Sequence, residues 1–239
     1  MRVDKYLSES SSFSRREIKE LIRRKKVTVD GKIIAAPEVQ VTETSTVTVD
    51  GNVISYRKYI YLMLNKPAGY ISATFDRRDP VVVELVPPEL QHYAPFPVGR
   101  LDKDTEGLLL LTNDGQFDHR LMAPGKKVFK RYFVRLAKAV APEAAAAVEA
   151  GIDLGDFTTA PGKLHFTPAP QEVFIDIAEG KFHQVKRMFA ALDNEVVFLR
   201  RTAIGGLQLD PALKPGECRE LTADECIAAG SGALAPCNT

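Results

Sequence analysis

Four consecutive leucines at 108–111 constrain this chain more than any other stretch. Upstream, Pro95, Pro97 and Gly99 forbid a long helix leading in, because proline lacks the amide donor that a helix interior needs. Downstream, Thr112 and the turn signal Asn113-Asp114-Gly115 close the run. A short apolar run bounded by turn residues predicts a buried strand. The polar residues Arg100, Asp102, Asp104 and Thr105 then fall on a loop at the edge of the core. Loops held by a rigid scaffold are where chemistry is commonly carried.

Three chemistries compete for that loop. Asp102-x-Asp104-x-Glu106-Gly107 imitates a calcium loop, but Asn113 stands where a bidentate Glu is required, and no entering helix forms across 95–99. Asp102-x-Asp104 also has the form of an aspartyl-phosphate nucleophile, which needs bound magnesium and further carboxylates that no later acidic cluster supplies. The third is a single nucleophilic or basic Asp102 with Arg100 and Thr105 as orienting neighbours. The plain structural alternative is an aspartate that only forms a turn.

The chain of 239 residues, 45% hydrophobic and 26% charged, has room for one large or two unequal domains of a soluble globular kind. The longest apolar run, 59–64, is too short to span a membrane, and no signal-like stretch opens the sequence. Cys218, Cys226 and Cys237 are odd in number and lack metal-ligand spacing, so they read as free thiols of a cytoplasmic protein. Net charge is only +1, yet residues 1–32 hold ten Lys and Arg against five Asp and Glu. Such asymmetry points to an end that faces RNA or DNA.

Val3, Tyr6 and Leu7 predict a first helix. Ser14-Arg15-Arg16-Glu17 is a capping-box signature for a second, with Ile18, Leu21 and Ile22 on its apolar side. Arg15, Lys19, Arg23 and Lys26 share one face of it, uninterrupted by acids, beside Arg16. Strands at 27–29 and 46–49 each run into an Asp-Gly turn. Residues 52–58 read as a linker, so the expected division is 1–58, 59–229 and a disordered tail at 230–239. The 59–64 strand ends at Pro67. Helices are expected over 117–122, 142–150 and 182–192, and after the Thr222-x-x-Glu225 cap. Strands are expected over 128–136, 163–167, 171–177, 196–199, 207–209 and 218–221. Direct strand-to-strand steps make the second domain α+β, with a mixed, largely antiparallel sheet. No Gly-rich phosphate loop, zinc pattern or dinucleotide fingerprint is present, so neither cofactor nor metal is expected.

Gly99-Arg100-Leu101-Asp102-x-Asp104-Thr105-x-Gly107-Leu108-Leu109 resembles the active-site motif of pseudouridine synthases, above all their RsuA-type branch, which modifies ribosomal RNA. Asn65-Lys66-Pro67-x-Gly69-Tyr70 resembles the first motif of that family, and Glu179-Gly180-Lys181-Phe182-His183-Gln184-Val185-Lys186-Arg187-Met188 its third. The basic N-terminal helices resemble the RNA-binding module named after ribosomal protein S-four. That module binds phosphates and positions the enzyme more than it reads sequence. The resemblance covers nearly the whole chain and implies the pseudouridine synthase fold, with an RNA cleft across a long mixed sheet.

Isomerising uridine breaks the bond from ribose to base nitrogen, turns the base and rejoins it through carbon 5, with no net redox change. The reaction needs an ionised carboxylate, and by resemblance that is Asp102, which attacks base or sugar or takes a ribose proton. Lys186 is implied as its cationic partner, with Arg187 as runner-up. Tyr132 is implied to hold the uracil out of its stack. Arg100 and Thr105 shape the loop, Arg100 also contacting phosphate or extruding the base, and His183 either packs or touches RNA. The implied partner is small-subunit ribosomal RNA, naked or in an assembling particle, bound by a monomer away from membranes. Large-subunit RNA and a non-catalytic ribosome-assembly role are the alternatives.

Overall fold

The computed structural model describes every residue except 43, 124, 126 and 235–239. Contacts divide the chain into Met1–Ile60 with Val86–Pro95, and Tyr61–Leu85 with the chain from Phe96 onward.

The first unit opens with α1 (Val3–Ser10) and α2 (Arg15–Arg23). Both bonds of the capping box form: the Ser14 hydroxyl accepts from the Glu17 amide, and the Glu17 carboxylate accepts from the Ser14 amide. Two hairpins follow, β1 (Val27–Val29) with β2 (Lys32–Ile33), and β3 (Val47–Val49) with β4 (Asn52–Ile54). Their turns, Asp30-Gly31 and Asp50-Gly51, take φ of 50° and 77° and of 51° and 83°. Positive φ at both central residues gives a twist that matches the flanking strands. The sheet order is β2-β1-β3-β4. Val27, Val29, Val47 and Val49 alternate inward against Val3, Leu7, Ile18 and Ile22.

Two expectations for this unit need correction. Residues 52–58 are not a linker throughout, since 52–54 form β4 and Tyr56 packs its ring 5.4 Å from that of Tyr6. A two-residue turn after β3 returns the chain antiparallel to it, and backbone pairing with Val47–Val49 makes these residues an edge strand although Asn52 and Val53 are exposed. Nor does Lys26 continue the basic face of α2. The helix ends at Arg23, and the Lys26 ammonium pairs with Asp50 at 2.7 Å.

The second unit is built on a nine-stranded sheet. Its chain order is β5 (Tyr61–Lys66), β6 (Phe96–Val98), β7 (Glu106–Thr112), α3 (Gly115–Met122), β8 (Lys130–Leu136), α4 (Ala144–Ala150), β9 (Lys163–Phe166) and β10 (Glu172–Ile177). Then come α5 (Gln184–Ala191), β11 (Val196–Ile204), β12 (Leu207–Gln208), β13 (Cys218–Glu220) and α6 (Ala223–Ala229). Spatially the strands run β13-β5-β7-β11-β8-β10-β9, with β6 on β7 and β12 on β11. Among the described residues β7 and β11 pair in parallel, and the other pairs are antiparallel. The four leucines lie in β7 and are fully buried. Leu108 and Leu110 pack with Met63, Phe117, Leu121 and Ile204.

Asn113-Asp114-Gly115 starts a helix rather than a tight turn, because the Asp114 carboxylate accepts from the Gln116 amide at 3.0 Å and caps α3. β11 runs on to Ile204, past the expected end at Leu199. The polar run stays in the sheet through its ladders to β8 and β12, and buried Arg201 adds a bond from its Nε–H to the Leu108 carbonyl of β7 at 2.7 Å. The capping box Thr222–Glu225 forms, and Cys218 and Cys226 make no disulfide, while Cys237 lies outside the described residues. Of the expected tail, 230–234 are described, with the Ser231 hydroxyl accepting from the Gly206 amide at 2.9 Å, and 235–239 lie outside the described residues. No helix among the described residues is long and apolar enough to cross a membrane.

Candidate active site

The Asp102 loop joins β6 to β7 and is fixed from several sides. Gly107, second in β7, has φ +98°, and a Cβ there would lie 2.2 Å from the Arg201 carbonyl oxygen. Only glycine permits that approach, which is where β7 meets β11. The Ser72 hydroxyl accepts from the Leu101 amide at 3.0 Å and donates to the Leu101 carbonyl at 2.9 Å. The Thr105 amide donates to the Asp102 carbonyl at 3.1 Å, closing a turn.

Lys66 is the central staple. Its fully buried ammonium donates to the carbonyls of Pro67 at 3.0 Å, Lys103 at 3.2 Å and Thr105 at 2.8 Å. All three of its protons are used. Burial pushes Lys66 down to about 8, against the opposing pull of Asp104, Glu106 and Asp102. Neither Lys66 nor Ser72 was singled out from sequence for this role. The available signal was a lysine at the end of an apolar strand, where a buried charge must find acceptors.

Around Asp102 the second and third motifs converge. Lys186, on α5, holds its ammonium 3.4 Å from Asp102 Oδ2 and 2.6 Å from Asp104 Oδ1. The nearer partner is therefore Asp104. Burial raises the Asp104 pKa, but the hydrogen bond and charge of Lys186 outweigh it, and the group ends below the usual carboxylate range. His183 Nε2 is 3.6 Å from Asp102 Oδ1, too far for a hydrogen bond. Tyr132, nearly buried on β8, lines one cleft with Arg100, Asp102, Thr105, Lys181 and His183. Arg100 is exposed there, whereas Thr105 is buried and its hydroxyl has no hydrogen-bond partner among the described residues.

Arg187 does not join them. Its guanidinium pairs with Asp156 and donates to the Leu154 carbonyl at 3.0 Å. Neighbours on a helix point about 100° apart, so Lys186 and Arg187 cannot both face Asp102. Among the described residues no three His, Cys, Asp or Glu side chains gather as metal ligands. On the first unit, Arg15, Arg16 and Lys19 are exposed, while Arg23 pairs with Glu20 at 2.7 Å.

Residues 60–191 match the sequence model of a family described as RNA pseudouridylate synthase, and residues 1–47 match that of the S4 domain. A Bacillus subtilis protein named "Uncharacterized RNA pseudouridine synthase YtzG" is 46% identical over 230 residues, covering 94% of this chain and 96% of its own. The Escherichia coli K12 protein named "Ribosomal small subunit pseudouridine synthase A" is 40% identical over 228 residues, covering 94% and 98%. A solved structure titled "Crystal structure of pseudouridylate synthase" superposes with a TM-score of 0.68 at 36% identity, covering 96% of this chain and 99% of that one.

Proposed function

The chain belongs to the RNA pseudouridylate synthase family, and from that premise we propose that it isomerises a uridine of small-subunit ribosomal RNA, with Asp102 as the reacting carboxylate. One observation carries the reading. Asp102 stands in a stapled loop, 3.4 Å from the Lys186 ammonium, in a cleft walled by Tyr132.

An ionised carboxylate is required whether Asp102 attacks the base, attacks the sugar or removes a ribose proton. The Lys186 ammonium, 3.4 Å from Asp102 Oδ2, is the cation that faces it. Asp104 restrains Lys186 and keeps its ammonium at the loop instead of in solvent. The target base must leave its stack to reach the carboxylate, and the Tyr132 ring offers it a face in the cleft wall. Arg100, exposed at the rim, meets phosphate or fills the space the base vacates. Arg187 braces α5 against Asp156 and does not face Asp102. Arg15, Arg16 and Lys19 bind RNA phosphates and hold the substrate without reading its sequence.

The small-subunit target rests on relatives that carry it in their names at 39–40% identity over nearly their whole length. The experiment is turnover of a small-subunit RNA transcript by purified Asp102→Asn protein. The expected result is no pseudouridine, with the dissociation constant for RNA within about twofold of wild type, since a single neutralised carboxylate removes no cation from the phosphates. Product formation near the wild-type rate would overturn the role of Asp102.

A further inference from the structure

We propose that the outer face of Phe182 is a stacking subsite for the base adjacent to the isomerised uridine. The proposal rests on the pseudouridine synthase reading above and adds a residue that reads the flank of the target.

Phe182 is 76% exposed, the largest exposure among the described large hydrophobic side chains. A lone exposed phenyl elsewhere would need no explanation. This one stands on the rim of the cleft, between Lys181 and His183, which line it together with Asp102. One face of the phenyl is already used. It lies on the His183 imidazole with ring centroids 3.8 Å apart and planes at 17°. His183 in turn reaches to 3.6 Å from Asp102 Oδ1. The ring therefore stands one stacked neighbour away from the reacting carboxylate, with its other face open.

The backbone is bent to hold it there. His183, at the N-cap of α5, has φ +51° in the left-handed region. The nearest cation in sequence does not cover the phenyl. Lys181 holds its ammonium over the Phe157 ring, 3.5 Å from the centroid.

The chemistry that fits is a nucleobase. When the target uridine leaves its stack, the base beside it loses a stacking partner. An aromatic face at the cleft rim replaces that partner, and it does so for any base, because every base has a π-face. Phe182 then acts in substrate binding and leaves the chemical step to Asp102.

The chain has no tryptophan, so Phe182→Trp introduces a single indole reporter. The probes are transcripts of the small- and large-subunit ribosomal RNAs, with turnover measured on whichever the wild type modifies. Phe182→Ala should raise KM about tenfold with kcat within about twofold, as expected for the loss of one base–aromatic stack. Phe182→Trp should restore KM, and its emission should be quenched by bound transcript. Three results overturn the subsite: an unchanged KM for the alanine variant, a fall in kcat with KM intact, or indole emission unmoved by RNA whose binding is shown by anisotropy. The second of these would mean that the ring only props His183. If the wild type modified neither transcript, the target assigned above would fail, yet the indole emission with bound RNA would still decide the subsite.

Discussion

Lys66 and Lys130 are both buried, and burial pushes both down to about 8. Lys66 offsets the loss of water with three carbonyl acceptors, whereas among the described residues Lys130 has one long contact, to the Ala178 carbonyl at 3.5 Å. Lys130 is therefore the place to look for the effect on stability. In the native state it sheds its proton near pH 8, and in the unfolded chain it keeps it to about 10.5. Below pH 8 both states are protonated and the full cost of burying the charge is present. Between those values the native state binds fewer protons, so the stability of the wild type rises with pH. Lys130→Met should raise the unfolding free energy at pH 7 by about 2 kcal/mol, a gain that shrinks toward pH 10. Urea denaturation at both ends of that range reads it, and a gain independent of pH would mean that the buried charge is not its source. Sequence could mark Asp102 by its motif, but it left Lys186 and Arg187 as rivals. Their partners, Asp104 and Asp156, lie 82 and 31 residues away, and only the fold brings them near.

Elements were legible where local chemistry decides them. Ser14–Glu17 and Thr222–Glu225 each contain both halves of a reciprocal hydrogen-bond pair within four residues, and both boxes form. The Asp-Gly turns are equally local. Elements held by distant partners were misread. β4 is short and mostly exposed and exists because β3 offers it a ladder, and the second half of β11 exists because β8 and β12 pair with it while Arg201 bonds across to β7. The junction of β7 and β11 makes a prediction at this scale. Gly107→Ala would set a methyl 2.2 Å from the Arg201 carbonyl at a φ that alanine resists. It should destabilise the protein by about 3 kcal/mol or more and shift the loop that carries Asp102. Calorimetry checks the first effect and turnover the second. A variant of wild-type stability would mean that the two strands part at little cost.

At the scale of the whole molecule, a net charge of +1 conceals a basic first unit, and the concealment is only arithmetical. Position along the chain recovers it, which is why an RNA-facing end was legible although the total charge was silent. Replacing Arg15, Arg16 and Lys19 by alanine should weaken binding of all RNA sequences alike. It should also lower the slope of log affinity against log salt by about 2, roughly 0.7 for each of the three phosphates left without its cation. Filter binding across a salt series measures it, and an unchanged slope would remove α2 from the interface. The most direct test of the central claim is a pseudouridine map of both ribosomal RNAs from cells that lack this gene and from cells that re-express wild type or Asp102→Asn. If Asp102 isomerises a small-subunit uridine, one position disappears from small-subunit RNA and is restored by wild type and not by Asp102→Asn. Restoration by Asp102→Asn, or no position missing from either RNA, would contradict it.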